Sequence, residues 1–316
     1  MNAERFSWSN ADVELLDEND ELLMDRFLGG SGSGNFGHEG RPGEVGGSAS
    51  GGATAGFRDP SSAEDKQRLK DLKIPPAWKN VRLNPNPNGA LQAVGTDVKG
   101  RTQYRYSAEH SAEAAAEKFA RLQEFNEALP SLREKISEDL SSDDPDTREA
   151  ASVLYMIDKT GFRIGSDSDT GADKKAFGAS TMLAKHVKVN GDKTTFKFTG
   201  KKGVQVRKTV EDEQLAQILS ERKEQGGRLF STSDKKVRDY MSSRAKGFSP
   251  KDFRTWHGTA EALKAISKMP KPKDAKAFKA SQKKVGKIVS DFLGNTPTVA
   301  LASYIDPAVF SKWRDK

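Results

Sequence analysis

Apolar positions along this chain recur with two periods, and the switches between them divide it. Over 57–106 the apolar runs are short and alternating: Val81 to Leu83, Ala90 to Val94 and Gln103 to Tyr106. Asn-Pro-Asn-Pro-Asn-Gly and Lys99-Gly100 separate them. Period-2 runs bounded by turn formers predict a small antiparallel sheet. Ahead of it Ile74-Pro75-Pro76-Ala77-Trp78 is extended, because each proline fixes its own φ and disfavours helix before it. In Arg101-Thr102-Gln103-Tyr104-Arg105-Tyr106, alternation sets Gln103 and Arg105 on one face and Tyr104 and Tyr106 on the other. Two roles suit that strand: a packed tyrosine face, or a face that touches nucleic acid.

From Ser107 the period becomes helical, with Ala115, Phe119, Leu122 and Phe125, then Leu132, Ile136 and Leu140. Thr147 to Ile157 predicts a further helix that ends towards Gly161. Phe162-Arg163-Ile164-Gly165 and a polar loop follow. The period then returns to two over His186 to Val189, Thr194 to Phe198 and Val204 to Val206. Asn190-Gly191 and Gly200-Lys201-Lys202-Gly203 supply the turns of this three-stranded ladder. Helices are predicted at about 211–225, 233–245, 252–267 and 277–293, with final turns around Tyr304. The fold class is therefore α+β: a small sheet domain over 57–106, and a mainly helical domain over 107–316 that carries a three-stranded hairpin sheet. No internal repeat is present.

Composition changes the picture at the N-terminus. Residues 1–30 carry eight acids and two arginines, a net of −6, so the remaining residues carry +13 of a chain total of +7. Their apolar positions, Val13 to Leu28, fit one amphipathic helix that forms against a partner. Between Gly29 and Gly56 there are twelve glycines, which predicts a flexible linker, since ordering such a segment costs backbone entropy. Residues 1–56 thus precede the folded part. A basic body favours a polyanionic partner, most simply nucleic acid. The chain has no cysteine, which excludes disulfides, thiolate metal sites and cysteine nucleophiles. Its four histidines (His38, His110, His186, His257) lack metal-ligand spacing, so neither metal nor cofactor is expected. No apolar run reaches membrane length, so a cytoplasmic location is expected, in a bacterium or an infected host cell.

Several segments then carry a resemblance. Ile74-Pro75-Pro76-Ala77-Trp78, Gly100 to Tyr106, Phe162-Arg163-Ile164-Gly165, Phe177-Gly178 with Thr181, Leu183 and His186-Val187, Phe198-Thr199-Gly200-Lys201, Lys251-Asp252-Phe253-Arg254-Thr255-Trp256 and Gly294-Asn295-Thr296-Pro297 to Tyr304 occur in that order. Together, over about 57–312, they resemble the type IB DNA topoisomerases of bacteria and poxviruses. Separately, Gly32 to Gly43 looks like a segment found in several tailed-phage proteins.

The topoisomerase resemblance implies relaxation of supercoiled duplex DNA by transient single-strand cleavage and religation, through a 3′-phosphotyrosyl link, without ATP or metal. It puts the nucleophile on Tyr304, the catalytic arginines on Arg163 and Arg254, and the proton-donating lysine on Lys201. Lys202 is adjacent and chemically equal, so only the resemblance chooses between the two. Asn295 stands where the family has His or Asn. Its amide can donate a hydrogen bond to a phosphate oxygen but carries no charge. Gln103, Tyr104 and Tyr106 are implied to contact duplex DNA, with Lys202 nearby. Nothing in the sequence marks a base for Tyr304. His257, one turn beyond Arg254, is expected in a core or groove role. The enzyme is expected to act as a monomer, with a phage or host partner for the N-terminal segment. Two alternatives stand beside this reading. One is a tyrosine recombinase or integrase, opposed by Lys251, where that family places a histidine. The other is a non-catalytic DNA-binding phage protein, opposed by the intact Arg163, Lys201, Arg254, Tyr304 set.

Overall fold

Ser62 opens the first helix, α1 (Ala63–Asp71), through a reciprocal cap. Its hydroxyl accepts from the Asp65 amide at 3.1 Å, and the Asp65 carboxylate accepts from the Ser62 amide at 3.2 Å. The sequence pattern did not predict this helix, because Leu69 is its one large apolar residue and leaves no period to read. The structure, a computed structural model, describes Met24, residues 54–167 and residues 175–314. The acidic segment and nearly all of the glycine-rich linker expected over 1–56 lie outside the described residues.

Three antiparallel strands follow α1 in the order β1 (Lys79–Leu83), β2 (Leu91–Thr96), β3 (Thr102–Tyr106). Gly95 pairs with Gln103, Val94 with Tyr104 and Ala93 with Arg105, so the alternation read from the sequence holds at these three positions. Trp78 lies over the Gln103/Arg105 face. The Arg105 guanidinium is 5.9 Å from its ring centroid, and a Cβ added to Gly95 would meet the ring at 3.0 Å. Tyr106 leaves the regular register through a shift between Leu91 and Ala93, and its ring lies 5.2 Å from His110. Residues 103–106 are all half-buried, so neither face of β3 is a closed core.

Two compact units divide between Arg121 and Leu122, inside the 32-residue helix α2 (Ala108–Asp139). In the second unit α3 (Pro145–Thr160) starts on the Asp144 cap with Pro145 at its first position and stops at Gly161, whose φ is 64°. A second sheet pairs β4 (Val187–Asn190), β5 (Lys193–Thr199) and β6 (Gln205–Glu211) in that order. Strand β6 runs well past the expected Val206. Its inward face is Val206, Lys208 and Val210, and the lysine masks the strand's apolar alternation. Helix α4 (Glu213–Glu224) starts only after Asp212, which caps the Leu215 amide at 2.7 Å.

Helices α5 (Asp234–Arg244), α6 (Pro250–Ser267) and α7 (Ala275–Leu293) lead to the short α8 (Pro297–Ser303). Helix α6 is central, since nearly every residue from Asp252 to Ala262 is buried. Phe253 meets Phe125 edge-on at 5.1 Å, and the Trp256 indole donates to Asn126 at 2.7 Å. A helix buried on all sides places any charged group it carries in a low-dielectric setting. Arg254 is such a group.

Candidate active site

The site forms where three chain reversals meet α6. The first is the end of α3: after Gly161, Arg163 and Ile164 run extended and accept backbone hydrogen bonds from Ala179 (2.8 Å) and Ser180 (2.7 Å). Gly165 (φ +86°) and Gly178 pack without a gap, since a Cβ on Gly178 would lie 2.4 Å from the Gly165 nitrogen. The second is the end of α7, where Gly294 (φ 61°) closes the helix and Asn295 follows. The third is α8, which Thr296 and Pro297 start and Tyr304 ends, its amide donating to Ala300 at 3.0 Å.

Helix α6 enters this region on Ser249, whose amide and hydroxyl both donate to Asp252, at 2.8 and 3.0 Å. One turn in, Arg254 is 2% exposed. Its Nη1 donates to the Gly161 carbonyl and its Nη2 to the Leu293 carbonyl at 2.9 Å. Arg163 Nη1 donates to the next carbonyl, Gly294, at 3.1 Å. The ends of two helices thus supply unpaired carbonyls that hold both guanidiniums. Tyr304 is 8% exposed, and its ring centroid lies 4.9 Å from the Arg254 guanidinium carbon.

Charge sets the chemistry of these groups. Burial, the largest influence on Tyr304, pushes its phenol up, but the combined fields of Arg254, Arg163 and Lys251 bring it below its ordinary value. Burial, and then Arg163, pull Arg254 down to about 10, which still leaves it charged at neutral pH. The influences that lower it come from cations, with a hydrogen bond from Arg254 adding to the field.

Four of the expected residues therefore gather: Tyr304, Arg254, Arg163 and Asn295. Both amide atoms of Asn295 are buried and unbonded, directly after the carbonyl that holds Arg163. Lys201 is placed differently. It stands exposed with Lys202 on a 3-10 turn (Lys201–Gly203) at the β5–β6 tip, with no hydrogen bond or ion pair to Tyr304 or either arginine. Lys202, not Lys201, takes the left-handed conformation, at φ 62°. The tip end of that hairpin reaches the site through Val206, whose side chain would touch a Cβ added at Gly200 or at Gly294 at 3.2 Å. Gln103, Tyr104 and Tyr106 belong to the first unit and stand on β3.

Two participants escaped the sequence reading. Lys251 contributes to the field on Tyr304, and its place three residues before Arg254 on α6 was the available signal. Gly258 gives the Tyr304 backbone room, since a Cβ there would lie 2.3 Å from the Tyr304 carbonyl oxygen. No local pattern announces that contact. Among the described residues no group of three or more His, Asp or Glu could hold a metal, and no described helix is long and apolar enough to cross a membrane.

A buried phenol under one guanidinium, with a second guanidinium held by the carbonyl next to the first one's partner, is an arrangement able to stabilise negative charge. Comparison with known proteins gives the family. Residues 107–316 match the family described as eukaryotic DNA topoisomerase I, catalytic core. Residues 57–97 match the bacterial DNA topoisomerase IB N-terminal domain. DNA topoisomerase 1B of Acanthamoeba polyphaga mimivirus is 29% identical over 264 residues, covering 77% of this chain and 78% of that one. DNA topoisomerase 1 of Caenorhabditis elegans is 26% identical over 236 residues, 66% of this chain and 29% of the relative. For DNA topoisomerase 1 of Homo sapiens the figures are 22% over 222 residues, 64% and 29%. The chain belongs to the type IB DNA topoisomerase family, enzymes that act on duplex DNA.

Proposed function

We propose that Tyr304 is the nucleophile of this topoisomerase and that Arg254, Arg163, Asn295 and Lys201 complete its active site. The Tyr304 oxygen attacks the scissile phosphorus, the bond from phosphorus to the 5′ oxygen breaks, and a 3′-phosphotyrosyl link forms. Arg254 and Arg163 balance the charge that grows on the equatorial oxygens, and Asn295 donates a neutral hydrogen bond there. Lys201, carried in by the β5–β6 hairpin, gives the leaving 5′ oxygen a proton. The covalent link keeps the energy of the broken bond, so the reverse attack reseals the strand without ATP. The observation that carries this reading is the Arg254 guanidinium lying 4.9 Å from the Tyr304 ring while two backbone carbonyls fix its fork. The test is a nicked suicide duplex together with a plasmid-relaxation assay lacking ATP and magnesium. Wild type should become covalently linked at Tyr304. A Tyr304→Phe protein that still links would overturn the assignment.

On the same reading, Gln103, Tyr104, Tyr106 and Lys202 contact the duplex. Tyr104→Ala should weaken DNA binding without lowering the melting temperature, and the reverse result would leave Tyr104 as packing. One chain carries every residue named, so the enzyme acts as a monomer, in a bacterial or infected-cell cytoplasm. Its segment 1–30, at −6 against a body of +13, competes weakly with DNA or docks a phage or host partner. Removing residues 1–56 should raise DNA affinity most at low salt if it competes; identical salt series would leave partner docking.

A further inference from the structure

Behind the Arg254 guanidinium lies a second buried cation that the chemistry above does not use. Lys208 points inward from β6, and its Nζ donates to the Thr160 carbonyl at 2.6 Å. The same ammonium sits 3.3 Å from the Phe292 ring centroid. Arg254 donates to Gly161 and Leu293, the residue after each of those two. The two cations thus brace the same pair of chain reversals, Thr160–Gly161 at the end of α3 and Phe292–Leu293 at the end of α7. Thr160 and Gly161 offer carbonyls without helical partners at the negative end of α3, which is where cations gain most. On one face of α6, Arg254, His257 and Glu261 confront Lys208, with Asp158 of α3 beyond His257.

We propose that Lys208 is a positioning residue for Arg254, fixing the carbonyls that aim the guanidinium at the scissile phosphate. A fully buried ammonium is costly, and a methionine would fill the same space without that cost. Burial, partly opposed by Glu261 and reinforced by Arg254, draws this ammonium down to about 7. An amine kept buried under that pressure, donating to the Thr160 carbonyl and lying on the Phe292 ring, is explained by what it holds. With the lysine gone, the Thr160–Gly161 and Phe292–Leu293 segments lose a shared anchor. Arg254 then keeps its partners but not their spacing.

The inference rests on Arg254 acting at the phosphate, and a cycle of variants separates the two claims. Single-turnover cleavage of the suicide duplex is measured for wild type, Lys208→Met, Arg254→Lys and the double variant, with DNA affinity and melting temperature recorded for each. Lys208→Met should slow cleavage by about 10- to 100-fold, the scale of a small misplacement, with DNA affinity unchanged. In the Arg254→Lys background, where the fork that grips two carbonyls is gone, Lys208→Met should cost little further. Lys208→Met cleaving at the wild-type rate, or slowing both backgrounds equally, would overturn the positioning role. Arg254→Lys cleaving normally would instead overturn the role of Arg254 itself. Should Lys208→Met fail to fold, Phe292→Leu removes the ring that lies against the ammonium and against His257, and its cycle with Arg254→Lys is judged by the same two criteria.

Discussion

Tyr304 is held at both ends, its ring against Arg254 and its backbone against the next turn of α6. Thr259 Oγ1 donates to the Tyr304 carbonyl at 3.5 Å and accepts from the Asp306 amide at 3.2 Å. Gly258 makes that approach possible, because an added Cβ would lie 2.3 Å from the carbonyl oxygen and 2.9 Å from the Tyr304 Cβ. Neither contact is the far end of a flexible chain, so Gly258→Ala must displace the Tyr304 backbone. Overpacking of this kind costs about 1–3 kcal/mol, and a misplaced nucleophile slows attack by up to about 100-fold. We expect Gly258→Ala to bind the duplex normally, melt at a slightly lower temperature, and cleave 10- to 100-fold more slowly by that reasoning. Single-turnover cleavage set against equilibrium binding decides it, and an unchanged cleavage rate would show that the tyrosine segment yields without cost. That Arg254 and Tyr304 belong to one site was legible from their surrounding motifs, and the structure brings them together. Gly258 was not, because a glycine inside a helix reads only as a propensity loss until its partner, 46 positions away, is known.

At the scale of elements, the hairpin β5–β6 does two unlike things. Its tip carries Lys201 and Lys202 exposed, while its second strand, β6, carries Lys208 into the core. The turns and the alternation of the hairpin were readable because Asn190-Gly191 and Gly200 to Gly203 punctuate it. The length of β6 was not, since Lys208 occupies an inward position where an apolar residue was the expected mark. Helix α1 was hidden for the opposite reason: its order comes from the Ser62 cap and not from an apolar stripe. On the proposed assignment, Lys201 at its exposed tip acts separately from the arginines that backbone carbonyls hold. Lys201→Ala should therefore slow cleavage of an ordinary phosphodiester severely. A bridging 5′-phosphorothiolate, whose sulfur leaves without a proton, should restore the rate. Equal slowing on both substrates would transfer the role to Lys202 or another group.

At the scale of the whole molecule, the buried polar cluster that supports the site also couples folding to pH. His257 is fully buried beside Asp158, its Nε2 3.9 Å from the nearer carboxylate oxygen, and neither ring nitrogen is hydrogen-bonded. Burial, only partly offset by Asp158 and deepened by Lys208 and Arg133, pulls its imidazole down to about 3. The unfolded chain protonates this histidine near its ordinary value of about 6.5, so between roughly 6.5 and 3 the unfolded state holds one more proton than the folded one. Stability must then fall as pH falls through that window, by up to about 1.4 kcal/mol per pH unit from this group alone. Lys208 acts with the same sign at higher pH: it is held near 7 in the fold but protonates at its ordinary, higher value when unfolded, so stability rises with pH above about 7. Asp158, held low against its own burial by Arg133, adds its loss only further into acid, as its carboxylate takes up a proton. The limb between pH 6.5 and 4.5 thus belongs to His257, with a lesser part from His186, which burial also lowers; His257 can be removed without touching the groups that meet DNA. Melting temperatures of wild type and His257→Leu measured across pH 4.5–8 should give the flatter curve for the variant. Parallel curves over that range would mean that His257 is protonated in the fold, and that the low-dielectric pocket behind Arg254 admits charge more readily than its burial implies.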